Sequence, residues 1–269
     1  MPDSASTSVQ PPQQEMRPPI SCYIRTLNEE RMIGRVIDAA FQVVSEVVIV
    51  DSGSTDRTRE IAAERGARVI EQPWLGNGYQ KRAGEEAALH DWLLDLDADE
   101  VVTPELAAEI RALFADGEPA KSVYNFHLIT APPIGEPWWR FAIAERYRLY
   151  DRRKFRHLES KAWDQLEIPE GTPVDALKSP LLHYSFESYE QFMAKWNRVS
   201  SARARDAKLK PLWNVKLRIV FAMPFYFLKH YLGRGLWRAG LYGFAVSCGA
   251  AFGRWMRDVK MYERYRRND

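Results

Sequence analysis

The stretch "WLLDLDADE", residues 92–100, sets Asp95, Asp97, Asp99 and Glu100 on the end of an apolar run. Burying a run that ends in four acids requires something positive to neutralise them. Asp97 and Asp99 are two residues apart, so at a strand end their carboxylates share a face and aim at one pocket. Hard oxygen ligands with open remaining positions suit Mg²⁺ or Mn²⁺, which keep water and take further oxygens from a substrate phosphate. On spacing alone, a solvated acidic loop capping the next helix is the competing reading.

A second acid stands in a comparable place. "VVIVDSGSTD" runs from an apolar strand into Asp51 and then into small, turn-forming residues. Thr26, Asp51 and Asp97 thus close three successive strands, at the sheet edge where open α/β folds bind ligands. A carboxylate there accepts hydrogen bonds from a base N–H or a sugar hydroxyl. Taken by itself, "DSGSTD" is equally readable as a turn.

The elements that must position these acids alternate between strand and helix patterns. Residues 20–25, 46–50, 67–72 and 92–97 read as strands, and 122–129 and 146–153 as two more. Asn28 is expected to cap a helix whose apolar face carries Ile33, Ile37, Phe41 and Val44. Further helices are expected after "DSGSTD", closed by Gly66, within "GNGYQKRAGEEAALH", and from Thr103-Pro104 as cap and first residue. The expected fold class is α/β: a mostly parallel, Rossmann-like sheet flanked by helices, with a C-terminal basic and aromatic helical extension.

Bulk properties bound the rest. The 269 residues, 46% hydrophobic, suffice for one good core and an appendage. Residues 1–19, rich in Pro, Gln and Ser, lack the apolar core of a secretory signal and are expected to be a disordered tail. The two cysteines make neither a disulfide framework nor a zinc site, and point to a reducing compartment, the cytosol. The net charge of +2 hides an asymmetry: residues 195–269 hold 17 Lys/Arg against 4 Asp/Glu. The uncharged runs there, 10 residues at 219–228 and 15 at 239–253, fall short of the ~20 that span a bilayer. Flanked by Lys216, Arg218, Lys229, Arg234, Arg238, Arg254, Arg257 and Lys260, they fit helices lying on an anionic membrane surface, with no nucleic acid as partner. A soluble helical subdomain with an aromatic core is the alternative. The domains expected are a tail over 1–19, an α/β domain over 20–195 that carries the acids and a helical, membrane-associated region over 196–269.

"CYIRTLNEE", "VVIVDSGSTDRT", "GYQKRAGEEA" and "WLLDLDADE", in this order and spacing, resemble the inverting nucleotide-sugar glycosyltransferases of family 2, with the GT-A fold. "YRLYDRRKFRHLESKAWDQLEIPEG" and "FYFLKHYLGRGLWRAGLYGF" extend the likeness to a bacterial subgroup that includes lipopolysaccharide core β-glucosyltransferases of the WaaE type. The resemblance implies that Thr26, Asn28 and Glu30 surround the nucleotide, that Asp51 binds the base, and that Lys81 lies near the diphosphate. It also implies that Asp97 and Asp99 hold Mg²⁺ or Mn²⁺, Asp97 reaching the ribose or the metal and Asp99 contacting the metal. Arg82 stands where the family more often has Asn.

Inverting transfer needs a carboxylate to take a proton from the acceptor hydroxyl. Related sequences carry a His-Glu pair where Trp163-Asp164 stand here, which makes Asp164 the expected base, with Glu159 and Asp175 as alternatives. Arg146 and Arg148 are candidates to hold phosphate or order the base loop. Trp138 and Trp139 are candidates for an acceptor platform or for core, and His183 matches a histidine that the subgroup often carries but reads as a buried core residue. The implied reaction moves a hexose from a nucleotide diphosphate sugar, a UDP-sugar by expectation, to a glycolipid such as lipopolysaccharide core at the inner face of the cytoplasmic membrane. The rivals are a polyprenyl-phosphate sugar synthase, another cell-envelope polysaccharide glycosyltransferase and, from another class, a nucleotidyltransferase.

Overall fold

A computed structural model describes residues 17–161, 163–206 and 210–267, so nearly all of the expected N-terminal tail lies outside the described residues. The sheet has a parallel half made of β1 (Ile20–Thr26), β2 (Glu46–Asp51), β3 (Arg68–Glu71) and β4 (Trp92–Asp97). Its other half contains β5 (Glu100–Val102), β6 (Val123–Thr130), β7 (Ala144–Asp151), β8 (Asp175–Ala176) and β9 (Leu181–His183). The order is β3-β2-β1-β4-β7-β6-β9-β5, with β8 beside β6; the seam lies at β4, which β7 meets antiparallel.

Alternation along β1 sets the two faces. Ile20, Cys22 and Ile24 pack with α1 (Ile33–Ala40) and α4 (Pro104–Leu113) through Ile33, Val36, Ile37, Leu106 and Ile110. Each such fully buried aliphatic side chain stabilises the fold by about 1.5–3 kcal/mol. Tyr23 faces the other way with Val48, Leu93 and Tyr150, beneath α3 (Asn77–Ala87). A Cβ at Gly84 of α3 would come within 2.7 Å of the Tyr23 ring, so glycine lets this helix lie directly on the sheet. α2 (Thr58–Glu64) follows the "DSGSTD" turn and ends before Gly66 at φ 82.

One sequence expectation needs correction. Asn28 does not cap α1: it sits at φ 57, its side chain accepts from the Thr55 amide at 2.8 Å, and the helix starts only at Ile33, with Met32 as its cap. A left-handed residue turns the chain away from the helical path. The segment after β7 also supplies β8 and β9, which are too short to show a periodicity in the sequence.

The C-terminal part is helical: α5 (Tyr189–Asp206), α6 (Leu212–Leu228), a π-helical turn at Lys229–Gly233, a 3₁₀ turn at Leu236–Ala239, and α7 (Gly240–Arg267). α7 lies close against α5 because Gly249 and Gly253 have no Cβ; one at Gly253 would stand 2.6 Å from the Trp196 ring. The expected domain boundary at residue 195 falls inside α5, and Phe186, Phe192, Leu236 and Val246 share one apolar cluster with Trp138 from the sheet domain. Trp138 is therefore core, while Trp139 stays 47% exposed. Among the described residues, no helix is long and apolar enough to cross a membrane.

Candidate active site

Register brings the strand ends together. Thr26 pairs with Asp51 and Arg25 with Asp97, so the ends of β2, β1 and β4 form one edge. Asp51 is fully buried and turned inward. Its oxygens accept from the Thr26 hydroxyl at 3.0 Å, the Gly53 amide at 3.1 Å, and the amide and hydroxyl of Ser54 at 2.9 and 2.5 Å. Asn28 and Glu30 hold the same loop from the β1 side: the Asn28 amide donates to Ser54 Oγ, and a Glu30 carboxylate oxygen accepts from the Arg57 amide. These four residues build the rim of the edge, tied together through the turn that follows β2.

The acids of "WLLDLDADE" are neutralised by side chains from three elements. Lys81 of α3, expected near a diphosphate, is instead buried with its Nζ 2.5 Å from Asp95 Oδ2. Arg148 of β7 donates to Asp95 at 3.1 Å, to Asp97 at 3.0 Å, and to Glu100. Arg25 of β1 donates to Asp97 Oδ1 at 2.8 Å. Burial alone would raise the Asp97 carboxyl, but Arg148, Lys81 and Arg25 hold it well below the usual carboxylate range. Glu100 shares Arg148 with two other acids, and burial pushes it up to about 7, with Asp97 adding to the rise.

Asp99 stands apart from this network. Its Oδ2 lies 3.2 Å from His183 Nε2, and each side chain is about a quarter exposed. Antiparallel pairing of β5 with β9 sets Glu100 opposite His183, which is how the imidazole reaches Asp99. Among the described residues, no group of three or more His, Cys, Asp or Glu surrounds one point as a cation cage. The donor set nonetheless fits a divalent ion shared with a substrate: one carboxylate and one imidazole leave most positions to phosphate oxygens and water. Asp97, with an arginine on each oxygen, is the less available of the D-x-D pair.

Asp164 meets this edge through Arg25, whose second terminal nitrogen reaches Asp164 Oδ2 at 3.3 Å. It is 41% exposed and lines two clefts, one of about 200 Å³ with Asp95, Asn125, Arg146 and Arg148, the other of about 1090 Å³ toward the C-terminal helices. Asp175 pairs with Tyr124, which is level with Leu149 and, through it, with Leu94 in the middle of β4. It is exposed there, and neither cleft at Asp164 includes it in its lining. Glu159 is exposed and lines neither cleft.

Sequence reasoning missed Arg25 and set His183 aside as core. A signal for Arg25 was available, since an arginine at the penultimate position of a buried strand needs acids beside it. For His183 the signal was its match to a histidine that the subgroup often carries, but only strand pairing puts it against Asp99.

Comparison with known proteins follows this geometry. The model of glycosyl transferase family 2 matches residues 21–171. An uncharacterized glycosyltransferase of Rickettsia bellii is 33% identical over 91% of this chain and 86% of its own length. The lipopolysaccharide core biosynthesis glycosyltransferase LpsC of Rhizobium meliloti is 30% identical over 92% of this chain and 93% of its own. Among solved structures, glucosyl-3-phosphoglycerate synthase from Mycobacterium tuberculosis, in complex with Mn²⁺, UDP and glucosyl-3-phosphoglycerate, overlaps 43% of this chain and 44% of that one at 26% identity, with a TM-score of 0.34. The matched segment begins in β1 and contains Asp51, Asp97, Asp99 and Asp164, so the edge assembled above and the family model coincide, and the chain belongs to glycosyl transferase family 2.

Proposed function

We propose that this glycosyltransferase moves a hexose from a UDP-sugar to a lipid-linked glycan such as lipopolysaccharide core, with inversion, using Mg²⁺ or Mn²⁺, at the inner face of the cytoplasmic membrane. The observation that carries the reading is the bridge made by Arg25. One guanidinium holds both the D-x-D carboxylate Asp97 and the candidate base Asp164, so the leaving-group end and the proton-accepting end of a displacement sit side by side. Likeness to LpsC over nearly the whole chain supports the acceptor class.

Asp99 and His183 are the residues that would hold the ion, and when bound it supplies Lewis-acid stabilisation of the diphosphate leaving group. Thr26, Asn28, Glu30 and Asp51 shape the nucleotide end. Lys81, by contrast, acts from beneath, keeping Asp95 ionised and β4 in place. Asp164 takes the proton of the acceptor hydroxyl as its oxygen bonds to the anomeric carbon. The bond from that carbon to the diphosphate oxygen breaks, and its electron pair leaves with UDP.

The membrane placement rests on α6. Trp213, Leu217, Val220, Phe221, Phe225 and Leu228 form an exposed stripe at helical spacing, while Val215 and Ile219 pack inward with Met261. Exposed Lys216 and Lys229 flank the stripe. Such a face fits the headgroup region of an anionic membrane.

The test is UDP-glucose binding by calorimetry with and without Mn²⁺, followed by product analysis on lipid extracts. Asp99→Asn should lose the Mn²⁺-dependent part of binding. Asp164→Asn should keep binding and lose turnover. Release of pyrophosphate instead of UDP, or full turnover in both variants, refutes the assignment.

A further inference from the structure

The larger cleft at Asp164 is built from both parts of the chain. Trp74, Lys161 and Asp164 form one side, and α5 and α7 face them with Arg203 and Arg257, near Lys210. Its volume, about 1090 Å³, is at the upper end of ligand pockets. Asp164 is the one acid among the described residues that line it. Lys161, Arg203 and Lys210 are exposed, whereas Arg257 is partly engaged by Asp258 at 3.1 Å and by Tyr226.

Behind this wall positive charge is crowded. Arg254 of α7 has a buried Nε without a hydrogen-bond partner, and burial together with the charges of Arg203 and Arg257 pushes its guanidinium down from the usual arginine range. Cations gathered around an open cleft with so little opposing acid are stabilised by an anion that enters it.

The lining also says which substrate that anion belongs to. Thr26, Asp51, Asp97, Asp99 and His183, the strand-edge residues of the donor and ion site, do not line this cleft, and Asp164 does. We propose that this cleft seats the acceptor, and that the acceptor carries a phosphate group close to the hydroxyl that is glycosylated. The proposal rests on Asp164 being the base. In this arrangement Lys161 and Arg203 grip the phosphate and the hydroxyl is left facing Asp164. The C-terminal helices then serve as one wall of the active site as well as a membrane face.

Glucose 6-phosphate is a minimal probe, with glucose as its control. Calorimetry on the full chain, with the donor site kept saturated by UDP and Mg²⁺, should show saturable binding of glucose 6-phosphate and none of glucose. Arg203→Ser and Lys161→Ser should each weaken it about tenfold or more, the loss of a charge-assisted bond, with UDP affinity and melting temperature unchanged because both side chains are exposed. Vesicles of phosphatidylcholine with phosphatidic acid competing for the cleft would identify a lipid headgroup as the phosphate source; no competition identifies a phosphorylated sugar. Equal affinity in the variants, displacement of glucose 6-phosphate by UDP, or no binding by a protein that still binds UDP overturns the proposal. Failure of the wild-type protein to bind UDP at all would instead sink the donor reading.

Discussion

The Gly78 amide, in the first turn of α3, donates to the Ser160 carbonyl at 2.9 Å, and beside it the Asn77 amide donates to the Lys161 carbonyl at 3.2 Å. The open end of a helix thus anchors the loop that leads to Asp164. Glycine is required at 78 because a Cβ there would overlap the Leu158 carbonyl oxygen. Gly78→Ala should therefore push this loop off the helix. Turnover is expected to fall at least about tenfold, as a small misplacement of a catalytic group costs, while UDP affinity changes little. Parallel kinetics and UDP calorimetry check this.

Arg25 links Asp97 to Asp164 through a planar fork that lysine lacks. Arg25→Lys keeps the charge and loses the two-ended geometry. We expect kcat to fall about 10- to 100-fold with a smaller change in KM for the UDP-sugar, the pattern for a group that positions a base. An equal loss in KM alone would place Arg25 in donor binding.

Glu100 makes stability depend on pH. Its folded-state pKa of about 7 lies above the ordinary 4.5, so the native state holds this proton more tightly than the unfolded chain does. The stability it contributes is full below pH 4.5 and is lost as pH rises through about 7. Glu29, raised to about 7 chiefly by burial, acts with the same sign, whereas the depressed Asp97 loses stability only below the usual carboxylate range. Thermal melts of Glu100→Gln from pH 5 to 8 should decline less steeply than wild type, Glu29 leaving a residual slope.

The stripe on α6 predicts how the protein meets lipid. Phe221 and Phe225 are 67% and 64% exposed, so replacing both with Glu should not disturb the fold. It should abolish sedimentation with phosphatidylglycerol vesicles and leave melting temperature and UDP binding as in wild type. Neutral vesicles and raised salt should weaken wild-type binding as well, since exposed Lys216 and Lys229 contribute by charge.

Much of this protein was determined by its sequence alone. The strands ending in Thr26, Asp51 and Asp97, the glycine stop at Gly66, the Thr103 cap, which accepts from the Leu106 amide at 3.2 Å, and the stretch of helices after Tyr189 all follow from periodicity and end signals. These are local properties, set by which face of a strand or helix a residue occupies. Only the tertiary structure decided what meets those faces. Arg148 reaches the acids from β7, 51 residues beyond Asp97, Lys81 turns under the sheet instead of toward the edge, and His183 comes to Asp99 through the pairing of β5 with β9. Alternation along a strand tells that a side chain points at a neighbour, but the neighbour is chosen by strand order, and strand order depends on how the whole apolar surface is buried at once.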